Sequence, residues 1–323
     1  MSTLDKPLNV YITVDTETWC GGWNNIDAKF PQAFKSYIYG RTNKGDYGLP
    51  FQLKLLNEHG LKAVFFVEPL FSKRFGQTAL QEVVGLIHEA NQNVELHLHP
   101  EWTDESTEVI FPHIKEKREH LKFFNRQEQT ELIAIGKELL ENAGCNSLTA
   151  FRAGSFGANN DTLHAVADNG LLIDSSYNYC IPECDISEFK DIHLPTLSHG
   201  LLEVPMTTFI DGAGRRRHTQ LTACSYSELK SSLNQAYQKQ WPSYVLLSHS
   251  FELLKPGFTQ PDFTVIDRFE KLCAFLSDNQ SKFQTAYFNE NLLSDSGNIV
   301  SPLQVNAVST AKRYYEQLKR KVI

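Results

Sequence analysis

Residues 93–102 read Asn-Val-Glu-Leu-His-Leu-His-Pro-Glu-Trp, two imidazoles and two carboxylates in one short run. As a strand over 94–98, this run puts Glu95, His97 and His99 on one face and Leu96 and Leu98 on the other, because side chains alternate across a strand. Imidazoles two strand residues apart have Cα atoms roughly 6.6 Å apart and point the same way, which suits two nitrogens converging on one metal ion. The bland alternative is a pair of hydrogen-bonded core or surface histidines, and the choice between them rests on what other strands bring.

Three other apolar runs also end in reactive groups. The β-branched stretch 8–14 ends in Asp15-Thr16-Glu17, the stretch 147–152 ends in Arg152 and opens into Ala153-Gly154-Ser155-Phe156-Gly157, and 243–248 is followed by His249. In a parallel barrel all carboxyl ends of the strands open onto one rim, so groups far apart in sequence meet there. Asp15 has a second reading as a turn cap, Arg152 as a structural ion-pair partner and His249 as a satisfied core histidine.

The elements between these strands alternate. Helices are expected over 49–59 (closed by Gly60), 79–91, 127–142 (closed by Gly144), 161–168 (ending at Gly170), 225–238 and 263–277, from their apolar periodicity and the glycines that close several of them. Further strands are expected over 62–67, 171–174, 201–207 and 283–288. This spacing predicts an α/β fold with seven or eight mostly parallel strands in a closed or nearly closed (β/α) barrel, a single domain over 1–300. The tail 305–323 sets Ala307, Val308, Ala311, Tyr314, Tyr315, Leu318 and Val322 at helical spacing, and is read as an amphipathic helix docked on the barrel from 301 to 323. Residues 18–48 lose all periodicity among Trp19, Trp23, Phe30, Phe34, Tyr37, Tyr39 and Tyr47, so a long aromatic loop packed at the rim is expected, with Trp19 and Trp23 positioned to cover whatever binds there.

Taken together these residues resemble the polysaccharide deacetylase superfamily, the metal-dependent N- and O-deacetylases of carbohydrate esterase family 4, over about residues 10–288. The resemblance implies a distorted (β/α) barrel. It also implies Asp15 as catalytic base, Glu17 and His97 as metal ligands, Arg152 as the residue that holds the base, and His249, within Leu-Ser-His-Ser-Phe, as catalytic acid. The family places its second histidine four residues after the first, where this chain has Glu101, while His99 lies two residues on; either completes the ligand set. The segment after Arg152 is one residue longer than the family's Arg-x-Pro-Tyr-Gly and lacks its proline, and a member of Gly154, Ser155 and Phe156 is expected to supply the oxyanion donor. The implied cofactor is a divalent metal, zinc by default, although a carboxylate and imidazole site also accepts cobalt, manganese, nickel or iron.

Two rival functions share these residues. Ala153-Gly-Ser-Phe-Gly157 resembles a variant nucleophile elbow, making Ser155 the nucleophile of a serine esterase with His249 as base. A catalytically silent glycan-binding protein is the other, since Glu101 stands where the family has a histidine. Asp174 is read as a partner that tunes His249 through a hydrogen bond, or as a cap or surface group, and Arg215-Arg216-Arg217-His218 as a solvated loop.

Composition narrows the field further. The 323 residues carry 31 Lys and Arg against 38 Asp and Glu, a formal charge of −7 and a pI near 5.9, which argues against a nucleic-acid partner. The start, Met-Ser-Thr-Leu-Asp-Lys-Pro, has no basic-then-apolar leader pattern, the apolar runs are strand-sized, and Cys20, Cys145, Cys180, Cys184, Cys224 and Cys273 lack metal-ribbon spacing. No membrane span, free thiols and a cytoplasmic location are the resulting expectations, and the family resemblance implies a saccharide or glycan precursor as substrate.

Overall fold

The computed structural model describes residues 6–288 and 300–322; residues 1–5, within the stretch scanned for a leader, and 289–299 and 323 lie outside the described residues. Its frame is one sheet that curls into a distorted barrel. In spatial order the strands are Ser243–His249, Leu8–Thr16, Ala63–Val67, Asn93–Leu98, Ala150–Ala153, Ile173–Asp174, Leu201–Glu203 and Thr196–Ser198, with Phe283–Thr285 pairing the start of Leu8–Thr16. Every pairing is parallel except Thr196–Ser198 with Leu201–Glu203. The expected distorted, mostly parallel barrel is thus present.

The barrel does not close through strand ladders. The gap between Leu201–Glu203 and Ser243–His249 is spanned by residues 207–221, where Thr207 Oγ1 accepts the Val245 N–H at 2.8 Å, the Leu247 N–H reaches Thr219 O at 2.9 Å and the Leu221 N–H reaches Leu247 O at 2.9 Å. The expected strand over 201–207 is accordingly short. It stops at Glu203, and the chain leaves the sheet to build this seam. Parallel strands buried on both faces explain the near-continuous apolar runs, as in Ala63–Val67, where every residue is buried.

Residues 18–48 are more regular than their composition suggests. They contain the helix Ile26–Tyr37 and a small hairpin pairing Arg41–Thr42 with Gly45–Asp46. Ile26, Phe30, Phe34 and Ile38 do recur at helical spacing, but Pro31 sits inside the helix, where it removes one backbone donor and masks the pattern. Phe30 stacks on Phe75 with ring centroids 3.7 Å apart, and Tyr37 meets Phe251 and Phe258, so this segment is packed.

The helix Ala307–Val322 meets the rest of the chain through its polar side. Arg313, buried, pairs with Asp211 at 2.7 Å; Arg320 pairs with Asp262 at 2.6 Å; Ser309 Oγ lies 2.7 Å from Ser227 Oγ; and the Gly212 N–H donates to Thr310 Oγ1 at 2.9 Å. The apolar residues read as its docking face point outward instead: Val308, Tyr315 and Leu318 are 67%, 70% and 64% exposed. The acids Asp211, Glu228 and Asp262, buried against this helix, decide its rotation because each would otherwise be a buried charge without a counter-charge.

Candidate active site

Strand register assembles the site. Asp15 lies directly opposite His249 across one parallel pair, and His97 opposite Arg152 across another. Glu17 and His99 each stand one residue past the end of their strand, on the rim. The four sequence stretches that end in reactive groups therefore meet at the carboxyl edge of the sheet, lining a cleft of about 500 Å³ that includes Asp15, Glu17, His97, His99 and His249.

Glu17, His97 and His99 offer one ligand atom each within 4.8 Å of one another. Glu17 Oε2 is 2.5 Å from His99 Nε2 and 3.6 Å from His97 Nε2. His97 Nδ1 lies 2.8 Å from the carbonyl oxygen of Arg152, and since a carbonyl only accepts, Nδ1 carries the proton and the Nε2 lone pair faces Glu17. Burial would raise the Glu17 pKa, but the charge of His99 and the close approach of the His97 and His99 rings hold it well below the usual carboxylate range. For His99 burial would lower the pKa, and the charge of Glu17 with contacts to Glu101 and Glu17 raises it well above normal instead. A buried carboxylate whose ion-pair partners among the described residues are two imidazoles needs a cation, and either a proton on His99 or a metal ion supplies it. Two imidazoles and one carboxylate are a donor set for catalytic zinc, at bond lengths of about 2.0–2.2 Å, so the residues fit a divalent ion.

The two candidates for the third ligand are separated by the geometry. His99 Nε2 points into the cluster, while Glu101 stands behind, its Oε2 3.4 Å from His99 Nδ1. His99 is wedged against Gly154: a Cβ added there would lie 2.6 Å from His99 Nδ1. Gly154→Ala is therefore expected to push the His99 ring away and lower metal affinity by about 10- to 100-fold with the fold retained, measured by metal titration beside a thermal melt.

Behind the cluster, Arg152 Nη1 donates to Asp15 Oδ1 at 2.7 Å and to Thr13 Oγ1 at 2.9 Å, and Nη2 donates to Ser175 Oγ at 3.2 Å. Its guanidinium is buried and lies 4.3 Å from the Phe66 ring centroid. Asp15 is thus clamped with its second oxygen 3.9 Å from His97 Nε2. Thr13 and Ser175 have no signal in the sequence, since isolated hydroxyls form no pattern.

His249 is tuned by Glu252 and not by Asp174. Asp174 is buried beside Glu203 and accepts from Ser176 Oγ at 2.7 Å, whereas His249 Nδ1 is 3.5 Å from Glu252 Oε1. Glu252 is fixed by Thr222 Oγ1 at 2.6 Å and Gln220 Nε2 at 2.5 Å. Burial pulls the His249 pKa down, but the hydrogen bond and charge of Glu252, then Asp15 and Glu17, raise it to about 9. Protonated His249 therefore stabilises the fold fully below about 6.5, its unfolded value, and this contribution is lost as pH rises through about 9. An acid must hold its proton, so activity should fall on the alkaline side. Glu252→Gln removes the main raising influence and should shift that alkaline limb of kcat/KM to lower pH, read from a pH–rate profile. A carboxylate three residues after the histidine, across a turn, is the sequence signal for this partner.

Trp19 and Trp23 do not line the cleft, contrary to the expectation that they cover substrate. They pack with buried Trp102 into an aromatic cluster behind His99: Trp19 meets the His99 ring edge-on at 4.7 Å and Trp102 at 6.0 Å, and Lys117 caps Trp23 at 3.9 Å. Apolar rings pack more favourably against the imidazole and each other than at an open, polar mouth. The rim opposite the cluster is formed by His120, Ser155, Phe156, Glu183, His218 and Gln220. Ser155 is exposed with φ 52° and ψ 18°, and no hydrogen bond among the described residues joins it to His249.

No protein-family model matches the chain, and no curated protein matches it. Among solved structures, a Mycobacterium smegmatis protein provisionally described as a polysaccharide deacetylase matches with TM-score 0.55 at 17% identity, covering 91% of this chain and 97% of that one. A family 4 carbohydrate esterase from Streptomyces lividans in complex with acetate matches at TM-score 0.43 and 12% identity, covering 91% and 97%. A CE4 family pseudoenzyme from Bacillus anthracis matches at 0.42 and 14%, covering 86% and 64%. The chain therefore has the fold of the Mycobacterium smegmatis structure, which is the fold that its sequence resemblance to the polysaccharide deacetylase superfamily implies.

Proposed function

We propose that this protein is a metal-dependent hydrolase that removes an acetyl group, above all an N-acetyl, from an amino sugar in a saccharide or glycan precursor. The observation that carries this is the meeting, in one cleft, of the Glu17, His97 and His99 cluster with the Arg152-clamped Asp15 and, across from it, His249. Fold similarity to a structure described as a polysaccharide deacetylase supports the substrate class. The six cysteines are all free, which favours a reducing compartment and the cytosol.

Glu17, His97 and His99 would hold the ion, with zinc the default. When bound, such an ion supplies Lewis acidity at the acetyl carbonyl and lowers the pKa of water. Asp15, held in place by Arg152, takes the proton from the attacking water. A backbone N–H of Gly154, Ser155 or Phe156 would donate to the developing oxyanion, where fixed dipoles lower the barrier most. His249 gives its proton to the departing nitrogen, which leaves poorly as an amide anion.

Incubation with N-acetylglucosamine oligomers tests this reading. Acetate should appear, and a serine-directed fluorophosphonate should neither label the protein nor slow the release. Labelling of Ser155 with loss of acetate release would make the protein a serine esterase. Among the described residues no helix is long and apolar enough to cross a membrane.

A further inference from the structure

A helix on a protein surface ordinarily buries its apolar stripe and shows its polar one. Ala307–Val322 does the reverse, burying Ser309, Thr310 and Arg313 while Val308, Tyr315 and Leu318 stand exposed. Phe263, 53% exposed at the start of the neighbouring helix Phe263–Asp278, extends the apolar surface. Single exposed apolar residues need no account, but a row of them along one helix marks an interaction surface.

Charge selects the occupant. The groove between the two helices, about 770 Å³, is lined by six cationic side chains and three carboxylates, a local balance of +3 on a chain whose formal charge is −7. The carboxylates are already matched: Asp262 by Arg320, Asp267 by Lys271 and Glu316 by Arg268. That leaves Lys255, Lys312 and Lys319 without an ion pair among the described residues. Glu316, the one acidic residue of the C-terminal helix, is turned inward to Arg268. A second copy seated face to face would set lysine against lysine. A bilayer carrying anionic headgroups matches both features, since lysines reach the headgroups while tyrosine, leucine and valine enter the acyl boundary.

We propose that the outer face of the helix Ala307–Val322, with Phe263 beside it, docks this protein on an anionic lipid bilayer. The surface is separate from the catalytic cleft, so it does not depend on the proposed activity. Flotation of the full chain with vesicles tests it. The protein should float with phosphatidylcholine vesicles containing phosphatidylglycerol and not with phosphatidylcholine alone, and raised salt should weaken binding. Lys312→Glu with Lys319→Glu should lower vesicle affinity by on the order of tenfold or more. Tyr315→Ser with Leu318→Ser should lower it as well, and both doubles should leave the melting temperature and acetate release unchanged because the four side chains are exposed. The proposal is overturned by absent flotation, by equal flotation on uncharged vesicles, or by undiminished binding of the charge-reversed protein. A dimer in solution that Tyr315→Ser with Leu318→Ser dissolves, without vesicle binding, would assign the face to a second copy instead.

Discussion

Replacing His97 with Ala is expected to strip the protein of its divalent metal and abolish acetate release together, with apparent metal affinity falling on the order of 100-fold or more. The effect should be large because His97 does two jobs. Its Nε2 faces the Glu17 carboxylate, and its Nδ1 donates to the carbonyl of Arg152, which fixes the tautomer and couples the metal cluster to the residue that clamps Asp15. The Ala variant leaves that buried carbonyl without its donor, a cost of about 1–3 kcal/mol, so a lower melting temperature is also expected. His97→Gln keeps a donor for the carbonyl. It should recover part of the stability while the metal stays absent, and elemental analysis of folded protein separates the two effects. Full metal content and activity in His97→Ala would mean that the cluster is not the metal site.

Asp15→Asn should keep the metal and lose turnover by about 10²- to 10⁴-fold, the range for removal of a general base. An amide retains an oxygen for the Arg152 hydrogen bond, so the geometry should survive, but a buried guanidinium then lacks its carboxylate and stability should fall by on the order of 3 kcal/mol. The companion experiment is His249→Ala. Its defect should be greatest on N-acetyl substrates and shrink markedly on an activated aryl acetate, whose leaving group needs little protonation. An equal loss on both substrates would remove His249 as the acid, and an unimpaired Asp15→Asn enzyme would remove the base.

What sequence alone could reveal divides along physical lines. Residues whose position follows from alternation and strand ends were legible: Asp15, Glu17, His97, His99, Arg152 and His249 all reach the carboxyl edge of the sheet because a parallel barrel sends every strand end there. Contacts made by side chains across the sheet were not. Nothing in Asn-x-Glu-x-His periodicity says that Glu101 stands behind His99, that Gly154 makes room for its ring, or that Glu252 faces His249. Glu68 is a further case. It is buried at the end of Ala63–Val67, where burial, opposed by the charge of His99 and by hydrogen bonds from the Leu70 and Phe71 N–H groups, lifts its carboxyl to about 8.

Two of the departures share one cause, a local pattern overridden by tertiary demand. Tryptophans beside a strand end resemble a sugar platform, yet Trp19 and Trp23 gain more by packing with Trp102 around the metal-ligand candidate His99. The C-terminal helix has a clear apolar stripe, yet the buried acids Asp211, Glu228 and Asp262 turn its arginines inward and leave the stripe outside. Pro31 hid a helix whose apolar spacing is otherwise regular.

The most direct single measurement is acetate release from N-acetylglucosamine oligomers by the purified chain before chelation, after chelation, and after a stoichiometric divalent ion is returned, with metal content measured at each stage. The expected result is one ion per chain, activity lost with it and restored with it. Undiminished release from metal-free protein would contradict the account, as would tight oligomer binding without turnover at full metal occupancy.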